Sequence, residues 1–285
     1  MAKHQTSAQS RRAQLQAQKA QQEAARLRRR MIAIIVGVVA VAVVLVGVVW
    51  WQTSRPQTPQ TPADPANPTF IPPDGADNFG WIEVRGATVK PGALTVDEHT
   101  DYQCPWCQLA DQFFGSPLRA LAENGDIVLR MHLRTLLGDL GLKNDSSRRS
   151  AMAAACADTV GKFMDYHETV FSNQPDEGVG YTDQQLRVDY ARQAGISGQA
   201  LATFQYCYDS QQTMAYVLAM EQINWSSTTI NGSTQEPVHG TPTFFVNGKP
   251  MTLSSMLTQS GQSYAPAFDT SPAGMLAHLQ EVAAR

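Results

Sequence analysis

The chain has 285 residues, and its 22 Lys plus Arg against 25 Asp plus Glu give a net charge of −3. Residues 1–30 hold eight basic residues and one acid, a charge of +7, which leaves −10 on the remainder; an acidic body repels phosphates, so a nucleic-acid-binding body is excluded. A hydrophobic content of 43% is enough for a buried core and excludes wholesale disorder, and four cysteines are too few for a disulfide scaffold of this length.

The basic tail (1–30) ends in Arg26, Arg28, Arg29 and Arg30. The next 21 residues, Met31–Trp51, carry no charge. As a helix rising about 1.5 Å per residue they span roughly 30 Å, the hydrocarbon thickness of a bilayer. The run exceeds a signal-peptide core of about 7–15 residues, and neither an A-x-A site nor a cysteine follows it closely. It reads as one uncleaved transmembrane helix, the alternative being a cleaved signal with a long core. The arginines place the N-terminus in the cytoplasm, Trp50 and Trp51 at the outer interface, and everything beyond outside the cytoplasm. Residues 52–78 hold seven of the sixteen prolines and read as an extended extracytoplasmic linker.

Beyond the linker, Trp81–Val84 and Ala93–Thr100 read as strands, and a helix runs from about Pro105 to Glu123, bent near Gly115 and Pro117. Ile127–Leu133 is a third strand. A block of about 80 residues then has helical patterning: from Ser146 to about Val160, Lys162–Phe171, Asp183–Gln193, Gln199–Tyr208 and Gln211–Asn224. Strands return at Thr243–Val246 and Pro250–Leu253, around the hairpin signal Asn247-Gly248-Lys249. Ser271–Ala284 closes the chain as a helix. The pattern is an α/β domain (79–140 and 229–285) split by a helical insertion (141–228).

Cys104-Pro105-Trp106-Cys107 stands where a strand hands over to a helix. Cysteines three apart lie on one helical face and can close a disulfide. Unpaired N–H groups at the helix start stabilise a thiolate on Cys104, so Cys104 attacks and Cys107 resolves. Two other readings are a zinc half-site, which lacks a second pair of ligands, and an inert structural disulfide.

With Gly240-Thr241-Pro242-Thr243 directly before the Asn-Gly hairpin, this motif resembles the thioredoxin superfamily, and the helical block narrows the resemblance to DsbA-like thiol oxidoreductases of the actinobacterial, membrane-anchored type. The resemblance implies a thioredoxin fold with an inserted all-helical domain, preceded by one transmembrane helix. It implies a cis Thr241–Pro242 bond beside Cys104, with the Thr241 backbone, Pro242 and Trp106 contacting substrate. It assigns Glu98 as a buried proton acceptor for Cys107; strand alternation puts Val96, Glu98 and Thr100 on one face, while a solvent-facing edge Glu98 is the alternative. Strongly oxidising relatives carry His where this chain has Trp106, which implies a less acidic Cys104 and a less oxidising pair.

Cys156 and Cys207 lie in the helical block. In an oxidising compartment a structural bridge between them is favoured over two free thiols, and the actinobacterial relatives carry such a pair. A relay with Cys104 is the alternative. His99 and His239 flank the site as candidate tuning residues or as satisfied structural histidines, and Trp106, Phe244 and Phe245 are candidate apolar contacts for unfolded substrates or packing residues.

The function implied is extracytoplasmic disulfide introduction into reduced or unfolded exported proteins, with no bound cofactor and no metal. A membrane reoxidant, DsbB-like or a vitamin K epoxide reductase homologue, restores the disulfide. The alternatives are an anchored disulfide reductase or isomerase and, from another class, a non-catalytic binding or chaperone module.

Overall fold

The computed structural model describes residues 81–285, apart from Arg85, 139–141, Lys143, Ser227, 231–232 and Glu236. The basic tail, the apolar run 31–51 and the proline-rich linker lie outside the described residues. Among the described residues no helix is long and apolar enough to cross a membrane.

The central layer is a five-stranded sheet. Its strands are β1 (Ile82–Glu83), β2 (Leu94–Thr100), β3 (Ile127–Leu133), β6 (Thr243–Val246) and β7 (Lys249–Met251), in the order β1-β3-β2-β6-β7. β2 is the middle strand, parallel to β3 and antiparallel to β6, with Val96 opposite Val246 and Glu98 opposite Phe244. Branched and aromatic residues suit such a strand because both faces are covered. Val96, Phe244 and Val246 are all buried, and each such side chain stabilises by roughly 1.5–3 kcal/mol.

The long helix read between β2 and β3 has three parts. α1 (Pro105–Ala110) and α2 (Ser116–Glu123) flank a π-helical turn at Asp111–Gly115. The bend read near Gly115 and Pro117 is therefore a widened turn rather than a break, because Pro117 falls in the first turn of α2, where its missing N–H is tolerated. α9 (Pro272–Ala284) packs on α2 and buries Met275, Leu279 and Val282. Ser271 caps it by accepting a hydrogen bond from the Gly274 N–H at 3.1 Å.

The chain between β3 and β6 is mainly helical. α3 (Ser146–Asp158) is buried almost all round, and Ala151, Ala153, Ala154, Ala155 and Ala157 let its neighbours approach closely. Against it lie α4 (Phe163–Ser172), α6 (Gly198–Asp209) and α7 (Met214–Trp225). The helix read over Asp183–Gln193 opens with a second π turn at Gln185–Asp189 before the short α5 (Tyr190–Gln193). The block ends in an unforeseen hairpin, β4 (Thr228–Ile230) with β5 (Ser233–Gln235).

The end of the sheet differs from the reading in two ways. β7 starts at Lys249 and stops at Met251, two residues short of the strand read through Leu253, because Thr252 is the N-cap residue of the single-turn α8 (Leu253–Met256). A second unforeseen hairpin, β8 (Leu257–Ser260) with β9 (Ser263–Pro266), follows before α9. The tight turn between β6 and β7 is present, with φ of 50° at Asn247 and 77° at Gly248.

Candidate active site

The site is built at the C-terminal end of β2. Asp101, fully buried, turns the chain off the strand: its carboxylate accepts from the Gln103 N–H at 2.9 Å, the Leu137 N–H at 2.9 Å and the Ser147 hydroxyl at 2.7 Å. Burial is the larger influence on it and lifts Asp101 to about 6. From the helical block, Gln174 donates to the carbonyls of Tyr102 and Cys104 at 2.7 and 3.2 Å, and the Tyr181 hydroxyl also donates to that of Tyr102. Cys104 is thus delivered in extended backbone as the first half-helical residue of α1, with Pro105 following.

Cys104 and Cys107 are free thiols, the first 5% exposed and the second fully buried. The neutral Cys104 thiol donates to the Thr241 carbonyl at 3.3 Å, across a cis Thr241–Pro242 peptide bond. When Cys104 ionises, the Cys107 thiol, the Thr241 side chain and the backbone N–H groups of Cys107 and Trp106 all favour the thiolate. The Cys107 thiol contributes most, and the sum brings Cys104 down to about 7 against the opposing effect of burial. Burial drives Cys107 well above the usual thiol range. The first sulfur is therefore the nucleophile near neutral pH and the only one of the pair with any exposed surface, and its partner is fully shielded. Alkylation of the reduced protein is expected to modify Cys104 alone, with a rate that rises to half its plateau near pH 7. Equal labelling of Cys107 by peptide mapping would contradict this.

Glu98, 5% exposed, lies in the middle strand, so the solvent-facing alternative is corrected: β2 has a neighbour on each side and no edge. Burial lifts it to about 7, with His167 opposing the rise and Asp111 adding to it. Thr100, two residues along the same face, faces the Cys107 sulfur, so Glu98 lies about 7 Å further along that face.

The other candidates divide. Trp106 is 44% exposed beside Cys104 and meets the ring of Tyr264 on β9 edge-on at 5.0 Å between centroids. Phe244 is core rather than surface, because β6 alternates and turns it inward; Phe245 faces the opposite side and packs edge-on against the His99 ring at 5.8 Å. His99 is buried, stacked on His132 at 4.0 Å, and held neutral by burial. His239 is exposed and lies 4.6 Å from the ring of Trp225. Cys156 and Cys207 are joined in a disulfide with Cα atoms 5.8 Å apart, bridging α3 and α6. Among the described residues no group of three His, Cys, Asp or Glu is placed to hold a metal ion.

Residues that sequence reasoning missed hold the second wall in place. Arg134, fully buried at the end of β3, donates twice to the Glu221 carboxylate at 2.9 and 2.8 Å and once to the Val238 carbonyl at 2.8 Å. This fork anchors the segment that leads to Thr241. Its partners are 87 and 104 positions away, so no local pattern signals it.

The thioredoxin family model matches residues 90–260. The solved structure of reduced DsbG, a disulfide bond oxidoreductase from Mycobacterium tuberculosis, is similar with a TM-score of 0.50 and 22% identity, covering 72% of this chain and 88% of that one. Oxidised DsbA from the same organism is similar with a TM-score of 0.51 and 22% identity, covering 72% and 93%. At this identity the likeness concerns the fold. No curated protein matches the chain.

Proposed function

The chain belongs to the thioredoxin family, and we propose that it catalyses dithiol–disulfide exchange outside the cytoplasm, introducing disulfides into exported proteins. One observation carries the reading: an acidified Cys104, the more exposed of the two cysteines, paired with a fully buried Cys107 and set against the Thr241 carbonyl beside a cis-proline. A non-catalytic module has no use for that asymmetry.

In the oxidised protein a substrate thiolate attacks the Cys104 sulfur. The Cys104–Cys107 bond breaks, and Cys107 leaves as a thiolate that takes up a proton supplied by Glu98 through a bridging water. A second substrate thiolate then attacks the substrate sulfur of the mixed disulfide, and Cys104 leaves as a thiolate. A Cys104 of about 7 is a competent leaving group. The Thr241 backbone is placed to pair with an extended substrate, and the exposed Trp106 offers it an apolar surface. The apolar run 31–51 anchors the protein with the acidic body outside, and a membrane reoxidant of the DsbB or vitamin K epoxide reductase kind restores the disulfide.

A second reading, an anchored reductase, is favoured by the same Cys104: helix N-termini and cationic neighbours can bring a thiol down to about 3.5, and here Trp106 supplies no charge. Trapping the cysteines of the full chain in the membrane fraction separates the two. A mostly oxidised Cys104–Cys107 pair is expected. A mostly reduced pair supports the reductase, and two thiols inert to both glutathione and alkylation would sink either enzyme.

A further inference from the structure

Below the cysteine pair lies a buried polar cluster that the exchange chemistry leaves unexplained. His167, on α4, is 1% exposed. Its Nδ1 is 2.9 Å from the Tyr102 hydroxyl, and its Nε2 is 3.3 Å from Asp111 Oδ1. Tyr102 is fully buried in the loop after β2, and the Asp111 side chain is 11% exposed. Asp111 opens the π turn, and Gly115 closes it; a Cβ at Gly115 would stand 2.4 Å from Asp111 Oδ1. The widened turn and its glycine thus make room for the carboxylate where it lies. π turns of this kind are rare and concentrate at functional sites.

We propose that His167 is the positioning residue of the buried proton acceptor: held by Tyr102 on one nitrogen and Asp111 on the other, its positive charge controls how readily Glu98 exchanges a proton with Cys107. The proposal rests on the exchange reading above. The groups that face His167 are Asp111 from the π turn, Glu98 from β2, Tyr102 from the loop, and Glu168 from its own helix. Glu168 is partly occupied by Arg119, 3.0 Å away. These acids outweigh burial and raise the proton affinity of His167 above that of a free imidazole. Of the charges acting on Glu98, His167 is the strongest. A central helix of the inserted block is therefore wired into the chemistry of the sheet.

The step affected is resolution. Starting from a Cys104–glutathione mixed disulfide, Cys107 gives its proton, relayed by a bridging water, to the Glu98 carboxylate, and the Cys107 thiolate attacks the Cys104 sulfur. The Cys104–Cys107 bond forms and glutathione leaves as a thiolate. The step needs Glu98 ionised. With the imidazolium gone, Glu98 keeps its proton to higher pH, and fewer molecules can react on the acid side.

The test is rapid-quench resolution of that mixed disulfide in the full chain between pH 5 and 9, in the parent and in His167→Gln. Glutamine can still hydrogen-bond Tyr102 but carries no charge. Resolution at pH 6 is expected to fall roughly tenfold, with the rate at pH 9 unchanged. A loss of the same size at every pH, or none, would overturn the proposal, since a purely structural residue moves the whole curve. NMR titration of the His167 ring in the unsubstituted protein is the second measurement: an imidazole neutral above pH 5 overturns the proposal even if His167→Gln does not fold. If the parent forms no mixed disulfide, the exchange reading fails instead, and the same NMR titration still decides the charge of His167.

Discussion

Replacing Cys104 with Ser is expected to reduce disulfide exchange to the uncatalysed background, whereas Cys107→Ala slows the first attack, because the Cys107 thiol contributes most to the acidity of Cys104, without abolishing it, and accumulates mixed disulfides through Cys104. The asymmetry follows from the two environments. Only a thiolate is a useful nucleophile or leaving group, and a serine hydroxyl near neutral pH is neither. Cys104 sits near 7 because the Cys107 thiol, the Thr241 side chain and two backbone N–H groups converge on its sulfur. Cys107 has none of its surface in water, and burial holds its proton well above neutrality, so it cannot take over the attack. With Cys107 absent, nothing inside the protein resolves the adduct. Mass spectrometry of the full chain after incubation with oxidised glutathione reads the outcome: one glutathione adduct on Cys107→Ala, none on Cys104→Ser. The reverse pattern would mean that the roles of the two cysteines are exchanged.

The parts of this site that were legible in the sequence are those specified locally. A Cys-x-x-Cys at a strand–helix junction and an Asn-Gly hairpin each impose their geometry over a few residues, and Cys104 and the β6–β7 turn follow from them; the cis Thr241–Pro242 bond is implied by the family resemblance and not by the dipeptide itself. Strand alternation likewise put Glu98 on the Val96–Thr100 face. It could not say which groups would face that carboxylate. His167 is 69 positions further along the chain, and it reaches the cluster only because α4 packs on the π turn. The fork from Arg134 to Glu221 and the hydrogen bond from the Ser147 hydroxyl to the Asp101 carboxylate are equally non-local.

Both hairpins absent from the sequence reading lack apolar alternation along their strands. Asn231-Gly232, between Thr228-Thr229-Ile230 and Ser233-Thr234-Gln235, is the same turn signal that marked residues 247–248. Flanking strands of three mostly polar residues give almost no periodicity to support that signal. The β8–β9 pair has only Leu257 buried along β8, so alternation is lost there as well, although Gly261 in its turn takes a φ of 62°. That second hairpin still bears on the site, because its Tyr264 supports the ring of Trp106.

Removing the second cysteine pair as Cys156→Ala with Cys207→Ala is expected to cost roughly 4 kcal/mol, since the bridge closes a separation of 51 residues and cross-linking restricts the unfolded chain most. For a domain of this size that corresponds to a fall in melting temperature of roughly 8–16 °C. Alanine is the appropriate replacement: both sulfurs are almost wholly buried, among the helices that pack on α3, and a serine would bury a hydroxyl where only the Thr213 hydroxyl, 3.4 Å from the Cys156 sulfur, is placed to meet it. Calorimetry of the full chain measures the stability, and exchange at 25 °C measures the chemistry. If the bridge only ties α3 to α6, the double variant melts lower and exchanges at the parental rate while folded. If instead Cys156 and Cys207 relay electrons to Cys104, turnover falls at a temperature where the variant is still folded, and the stability loss is incidental. Of the two, the first is expected, because the bridge is built into the packing of the helical block, whereas the walls of the Cys104 site are made by α1, the loop before it, and the Thr241–Pro242 segment.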